Sequence, residues 1–365
     1  MNRQGPVLFE APLVHEHASH CNCRECRSIS AQAFAPGWAE SEWEATATKN
    51  VIYGLDTASA GGPRNPNWVR AKAEGAISFA IIRANEGIWE DRFFKGNWPK
   101  IKDAGIVRGA YLFLRFPHPK HSMKAPDPVA QAKAFINTVG PLQESDLPPS
   151  LDVEFPGDKR YPHRSGRELT GMTAEQLLDG VRTAWKVLKA YYRVAPIIYT
   201  SARVWQEDLH NLPARDLVES PLWLARYPFK SGPVRWGPFA GGPPVPPPWG
   251  DSRNWWIHQY QGDAIRLPGF PFPGNVDMNR FNTMLKGETG DRVKWVQIRL
   301  GIESNGRFDA AMESALRTFQ DKKGLVSNGV VGPQTFAYLC WLTSYGAPAP
   351  MPRMSSPAFR PAKWI

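Results

Sequence analysis

Pro148-Pro149-Ser150-Leu151-Asp152-Val153-Glu154 ends a short apolar run with two carboxylates two residues apart. Alternate side chains of a β-strand share a face, so Asp152 and Glu154 point the same way from Cα atoms roughly 6.6 Å apart. Two acids held that close cannot both ionise freely, and one is pushed toward its protonated form. A protonated acid beside an ionised one is what cleavage of a glycosidic bond requires. An isolated Asp-x-Glu is more often a solvated strand end. The surroundings reverse that reading here.

Apolar, strand-like runs recur on both sides of this stretch. They cover Val51–Asp56, Ile77–Arg83, Gly109–Leu114, Ser150–Glu154, Pro196–Thr200, Leu222–Arg226, Trp255–Tyr260 and a short segment near Val276. Helical patterns separate the earlier ones: Pro66–Glu74, Trp98–Ala104, Val129–Val139 and, most clearly, Thr173–Tyr192. In the last, Thr173 and Gln176 form a capping box, and Leu177, Val181, Ala184 and Leu188 share a face. This alternation predicts an α/β chain with an irregular, TIM-like β/α barrel. Chemistry in such barrels gathers at the strand ends, where Asp56, Arg83, Asp152, Glu154, Tyr199, Tyr227, Gln259 and Asp277 all fall. Four acids from three strands would meet at one mouth. Two loops read as insertions, Phe116–Pro128 and the Pro/Gly-rich Pro228–Gly250, and stiff polyproline at a rim could wall a long groove.

Past residue 287 the pattern changes. Val293, Val296 and Leu300 mark one helix face, Phe308, Met312, Leu316 and Phe319 a second, and Gly332-Pro333 opens a third. The expected layout is a leader at 1–49, a barrel at 50–286, a small all-α three-helix domain at 290–345, and a Pro-rich tail at 346–365.

The 365 residues are 42% hydrophobic and 21% charged, a balance that suits a folded chain of two domains. The net charge of +10 suits a polyanionic partner, but no RNP-like motif, recognition-helix pattern or long basic run points to nucleic acid. No apolar run approaches the ~18 residues of a membrane span, so no membrane insertion is expected. Met1–Glu10 lacks a signal-peptide core, which predicts synthesis in the cytoplasm. The leader gathers three His and three Cys in His15–Cys26. Cys21, Cys23, Cys26 and His20 are zinc-ligand types, although Cys-x-Cys-x-x-Cys is tighter than standard knuckles, and a tail with free thiols is the other reading.

Across residues ~50 to 283 the chain resembles glycoside hydrolase family 25, the Chalaropsis-type lysozymes. The resemblance runs through Tyr53-Gly54-Leu55-Asp56, Ser78–Ala84, Ala104–Phe113, Gln131-Ala132, Leu151–Glu154, Pro196–Thr200, Trp223–Tyr227, Trp256–Tyr260 and Val276–Phe281. The C-terminal helices resemble the three-helix peptidoglycan-binding domain, through Val296–Leu300, Gly306–Asp309, Phe319-Gln320, Gly324-Leu325 and Gly329–Thr335. The family implies cleavage of the β-1,4 bond between N-acetylmuramic acid and N-acetylglucosamine in bacterial peptidoglycan, without a cofactor. By resemblance, Glu154 is the general acid and then base. Asp152 either attacks the anomeric carbon or orients the 2-acetamido group, and Asp56 and Asp277 tune the pair. Tyr199, Trp223, Tyr227, Gln259, Arg83 and Tyr111 are then the sugar-contacting candidates, with Arg83 also fitting an ion-pair role. Leu112 departs from the pattern, since many members carry His there; the change would remove a polar group near the pocket.

Three other readings fit less well. A catalytically weak wall-binding component of a phage tail or injection apparatus would use the same groove for adhesion, but all four acids are present. A hydrolase of another β-1,4 N-acetylhexosamine polymer such as chitin would not need the wall-binding module. Metallohydrolase chemistry lacks His ligands at the mouth. The absence of a signal peptide fits release onto the cell wall by a non-Sec route, as for a phage endolysin or an injection-system cargo, with the leader docking to such a particle.

Overall fold

The computed structural model of the protein describes residues 51–342 except 60–61, 63–64, 122–123, 230–231, 237–241, 251 and 272–275. The Cys21/Cys23/Cys26/His20 cluster, its zinc, its docking role and the Pro-rich tail fall outside the described residues.

The strands are β1 (Ile52–Thr57), β2 (Ile77–Glu86), β3 (Trp89–Glu90), β4 (Val107–Phe113), β5 (Ser150–Asp152), β6 (Ile197–Thr200), β7 (Leu222–Phe229), β8 (Gly232–Pro233), β9 (Ile257–Ile265) and β10 (Val276–Phe281). Eight of them follow the order β1-β10-β9-β7-β6-β5-β4-β2, and a β1–β2 pairing closes the ring; β3 and β8 are short additions to β2 and β9. The strands from β1 to β9 pair in parallel around the ring, whereas β10 runs antiparallel to both of its neighbours. That reversal is the irregularity of the barrel. It brings the start of β10, with Asp277, to the rim where the other strands end.

Helices α1 (Trp68–Ala73), α2 (Phe94–Asp103), α3 (Pro128–Val139), α4 (Gly166–Thr170) and α5 (Ala174–Tyr192) follow the strands. Helix α5 starts at the expected capping box, with Thr173 Oγ1 and the Gln176 side chain each bonded to the other's backbone N–H, and it ends on Arg193 in the left-handed region. Helix α2 starts four residues before the expected Trp98. Pro99 reads as a first-turn residue, yet burial of Phe94 against Trp98 (5.1 Å between rings) and the Trp68 Nε1–Asn97 Oδ1 bond (3.0 Å) hold an earlier turn in place. Packing outweighs the hydrogen bond that proline costs.

The core has two layers. Tyr53, Leu55, Leu112, Leu151, Val153, Leu177 and Val181 fill the space between strands and helices. Phe79, Ile81, Val107, Tyr111, Ile197, Tyr199, Trp223 and Phe281 fill the barrel interior. Gly54 must lack a side chain, because a Cβ there would meet the Phe79 ring at 2.4 Å. Deep in the barrel the inward positions are apolar; toward the rim they become Asp56, Arg83, Asp152, Gln259 and Asp277. Polarity along the barrel axis is written in each strand's alternation.

The C-terminal helices α6 (Asp291–Leu300), α7 (Ala310–Lys322) and α8 (Pro333–Cys340) pack onto the floor of the barrel, at the strand ends opposite the rim. Phe336 is fully buried and stacks on Trp256 (4.4 Å), with Phe281 at 5.5 Å and Trp295 at 5.7 Å. Trp341 Nε1 donates to Asp146 O (2.7 Å), and Lys323 pairs with Glu144 (2.6 Å). Connecting residues are bonded on both sides: Asn282 N to Trp256 O, Met284 N to Val331 O and Gly287 N to Phe308 O. Cys340 is buried among these apolar groups. Among the described residues no helix is long and apolar enough to cross a membrane.

Candidate active site

Ladder bonds continue past the formal end of β5, since Val153 N donates to Tyr199 O (2.9 Å). Leu151 and Val153 lie in the outer core layer. Ser150, Asp152 and Glu154 therefore face the barrel interior in sequence, with Glu154 highest. This is the shared face expected of Asp-x-Glu.

Strand β10 carries a second inward pair, Asp277 and Asn279. Asp277 stands opposite Asp56 in the β1–β10 register, and Asn279 opposite Gln259 in the β10–β9 register. Asp56 Oδ1 accepts from Gln259 Nε2 and Asn279 Nδ2, each at 2.7 Å. Gln259 Nε2 also lies 3.4 Å from Asp277 Oδ2, whose other oxygen accepts from Asp263 N at 2.7 Å. Gln259 Oε1 accepts from Tyr199 OH (2.7 Å) and Tyr227 OH (2.5 Å). Every polar atom of Gln259 is thus committed, and its amide cannot flip.

Crowding and burial push these acids upward, so that they cannot all ionise together. Asp56 is raised well above an ordinary carboxylate by burial and then by Asp277, against the two amide donors. Asp152 is raised well above by burial and then by Glu154, with Arg83 pulling the other way. Glu154 rises to about 7 through burial and the charge of Asp277, with Arg203 opposing. Asp277 rises to about 6 through burial. Asp152 Oδ1 is buried and has no hydrogen-bond partner. Glu154 borders two cavities, one of about 180 Å³ bounded by Glu86, Arg115, Phe116 and Phe155, the other of about 330 Å³ bounded by Tyr199, Arg203, Tyr227 and Pro244. Pro244 shows the proline-rich insertion forming part of the wall.

The other expected residues divide. Tyr227 is half exposed at the rim (51%). Tyr199 and Gln259 are buried supports of the acids. Tyr111 is buried against Trp223, at 6.1 Å between rings. Trp223 is a correction: only 1% exposed, it donates from Nε1 to Asn279 Oδ1 (2.7 Å) and lies edge-on to Tyr199, leaving no face for a sugar. Arg83 pairs with Glu86 (2.9 Å) and Asp91 (3.1 Å) rather than with a member of the acid cluster. Leu112 is also corrected: it is fully buried in the outer layer, pointing away from the pocket. His258 alternates away from Gln259, bonding to Arg226 O and Arg280.

Asn279 and Arg203 were missed as site residues. The signal for Asn279 was available, since a poor strand former two residues after Asp277 shares its face. Arg203 follows β6 and caps the π-helical turn Val204–Asp208, a position that carries no comparable mark. Among the described residues no group of three or more His, Cys, Asp or Glu is arranged to hold a metal ion.

Residues 56–269 match the family model of the glycosyl hydrolases family 25, and residues 289–339 match PG_binding_1, a peptidoglycan binding domain. Lysozyme M1 of Streptomyces globisporus is 30% identical over 234 residues, covering 63% of this chain and 68% of its own. The autolytic lysozyme of Clostridium acetobutylicum is 25% identical over 299 residues, covering 77% and 76%. A bacterial lysozyme structure from Streptomyces coelicolor aligns with 64% of this chain and 93% of its own, at 27% identity and a TM-score of 0.49. The match to the family model spans more than half of the chain and takes in the acids of β1 and β5, so this glycoside hydrolase belongs to family 25.

Proposed function

We propose that the protein is a muramidase that hydrolyses the β-1,4 bond between N-acetylmuramic acid and N-acetylglucosamine in peptidoglycan. The observation that carries the reading is Glu154. It is a carboxyl raised to about 7, placed between two cavities and backed by three further acids, of which Asp56 and Asp152 are buried. A group still protonated near neutral pH can donate to the leaving glycosidic oxygen, and a polymer crossing both cavities would lay a bond over it. The lysozyme relatives and the peptidoglycan-binding match at residues 289–339 support the choice of polymer.

In this mechanism Glu154 gives its proton to the leaving oxygen as the anomeric bond breaks. The 2-acetamido oxygen of the substrate closes onto the anomeric carbon from the opposite face. Asp152, on the same inward face two residues before Glu154, when ionised accepts the acetamido N–H and balances its developing charge. Glu154, now ionised, takes a proton from water as that water opens the ring, which restores both groups. An i, i+2 pair on one strand lies near the upper edge of the spacing for direct attack by Asp152, which favours assistance by the substrate over a glycosyl-enzyme. Asp56 and Asp277 hold the cluster's charge state, and Tyr227 offers a ring at the rim.

Digestion of purified peptidoglycan by wild type and Glu154→Gln, read by mass spectrometry, tests the proposal. Reducing-end N-acetylmuramic acid from wild type alone supports it. Reducing-end N-acetylglucosamine overturns the bond, and binding without release across several wall types makes the protein an adhesion component.

A further inference from the structure

One rim feature takes no part in the acid cluster. Beyond Arg83, strand β2 turns through Gly87 into β3, displaying Trp89 at 56% exposure while most of the chain's described tryptophans are buried. The hairpin is held firmly. Asn85 pairs with Glu90 and Glu86 with Trp89 in register, Gly87 N donates to Phe113 O (2.9 Å), and Asp91 N donates to Ala84 O (2.8 Å). Gly87 adopts φ +61, and a Cβ there would meet the Trp89 ring at 3.2 Å and the Arg115 stem at 3.1 Å. The indole edge and the Arg115 stem therefore both lie against Gly87. Arg115 in turn pairs with Glu86, and both border the cavity that reaches Glu154. Gly87 thus links the exposed indole to two residues of the cavity that reaches the proposed acid.

A rigid, exposed tryptophan beside a sugar-sized cleft is costly to leave in water and suits the apolar face of a pyranose. Tyr161, another exposed aromatic, has guanidinium groups of Arg160 and Arg164 near its ring, each 5.8 Å from the centroid. We infer that Trp89 is an aromatic platform for a sugar ring of the glycan strand. It lies beyond the cavity of Glu86, Arg115 and Glu154, and so extends the cleft to longer strands. The inference rests on the muramidase reading and adds a binding position to it.

Kinetics on soluble glycan fragments of increasing length test the platform. Trp89→Ala should keep turnover of the shortest cleaved fragment within about two-fold and lower kcat/KM on long strands about ten-fold. Trp89→Phe should recover most of that loss, and Gly87→Ala, which displaces the ring, should reproduce it. Equal loss at every length, or none at any, overturns the inference while leaving the muramidase reading intact. Affinity for long and short strands in a Glu154→Gln background, with and without Trp89→Ala, decides the platform even if turnover is absent. There, an unchanged preference for long strands overturns it.

Discussion

Asp56 and Asp277 face each other directly across the β1–β10 ladder, two acids in a register position where like charges oppose pairing. Asp277 is the charge that most raises Glu154 after burial, and the second cause of the shift in Asp56. Asp277→Asn should therefore lower both. If Glu154 must be protonated to act, the alkaline limb of the kcat profile should move below its wild-type position near 7. An unmoved limb would separate Asp277 from the proton donor.

Stability should follow the same acids with a definite sign. Each is raised in the folded chain, so its contribution is fully present below ordinary carboxylate values. It is lost as pH rises through the folded values, about 6 for Asp277 and about 7 for Glu154. The melting temperature should fall between pH 5 and 8 on this account, by the equivalent of order 2 kcal/mol for Glu154. Glu154→Gln should flatten that decline while lowering turnover roughly 10³-fold. Calorimetry across pH checks the first effect and product release the second; a mutant that loses both activity and stability at pH 8 would contradict the linkage.

Gln259 joins two tyrosine hydroxyls to Asp56 through one amide. Gln259→Leu should leave the two hydroxyls only each other, at 3.4 Å, and Asp56 only the Asn279 amide, at a cost of about 1–3 kcal/mol, and should raise Asp56 further by removing a donor. Denaturant unfolding measures the cost. A loss of activity without any loss of stability would instead mark Gln259 as a direct sugar contact.

Phe336 sits where the helices meet the barrel floor, buried against Trp256, Phe281 and Trp295. Phe336→Ala should cost about 3–5 kcal/mol. Because both cores share this ring, thermal unfolding should shift as one transition. A separate early transition confined to the helices would show the module melting independently.

Much of this was legible in the sequence. Strand alternation marked the eight barrel segments, and the Thr173/Gln176 box fixed where α5 starts. Asp-x-Glu announced a shared face because the strand period is two. What escaped depended on depth and direction. Trp223 has the composition of a sugar platform, and only its position below Asn279 turns it into a support. Leu112 is one residue from Tyr111 in sequence but on the opposite side of the sheet. Packing of Phe94 moved the start of α2, and the display of Trp89 depends on a two-residue strand too short for any periodicity to reveal.

The bonded segment between barrel and helices leaves the module no tether to swing on. Flexible wall anchors raise the local concentration of substrate through the reach of their linker. On the proposed reading, the helices that would hold the wall and the acids that would cut it lie at opposite poles of one body. A strand gripped below would meet the acids only by running the height of the barrel. The spacing of neighbouring strands in the wall, rather than any length of chain, would then set how often grip and cut coincide.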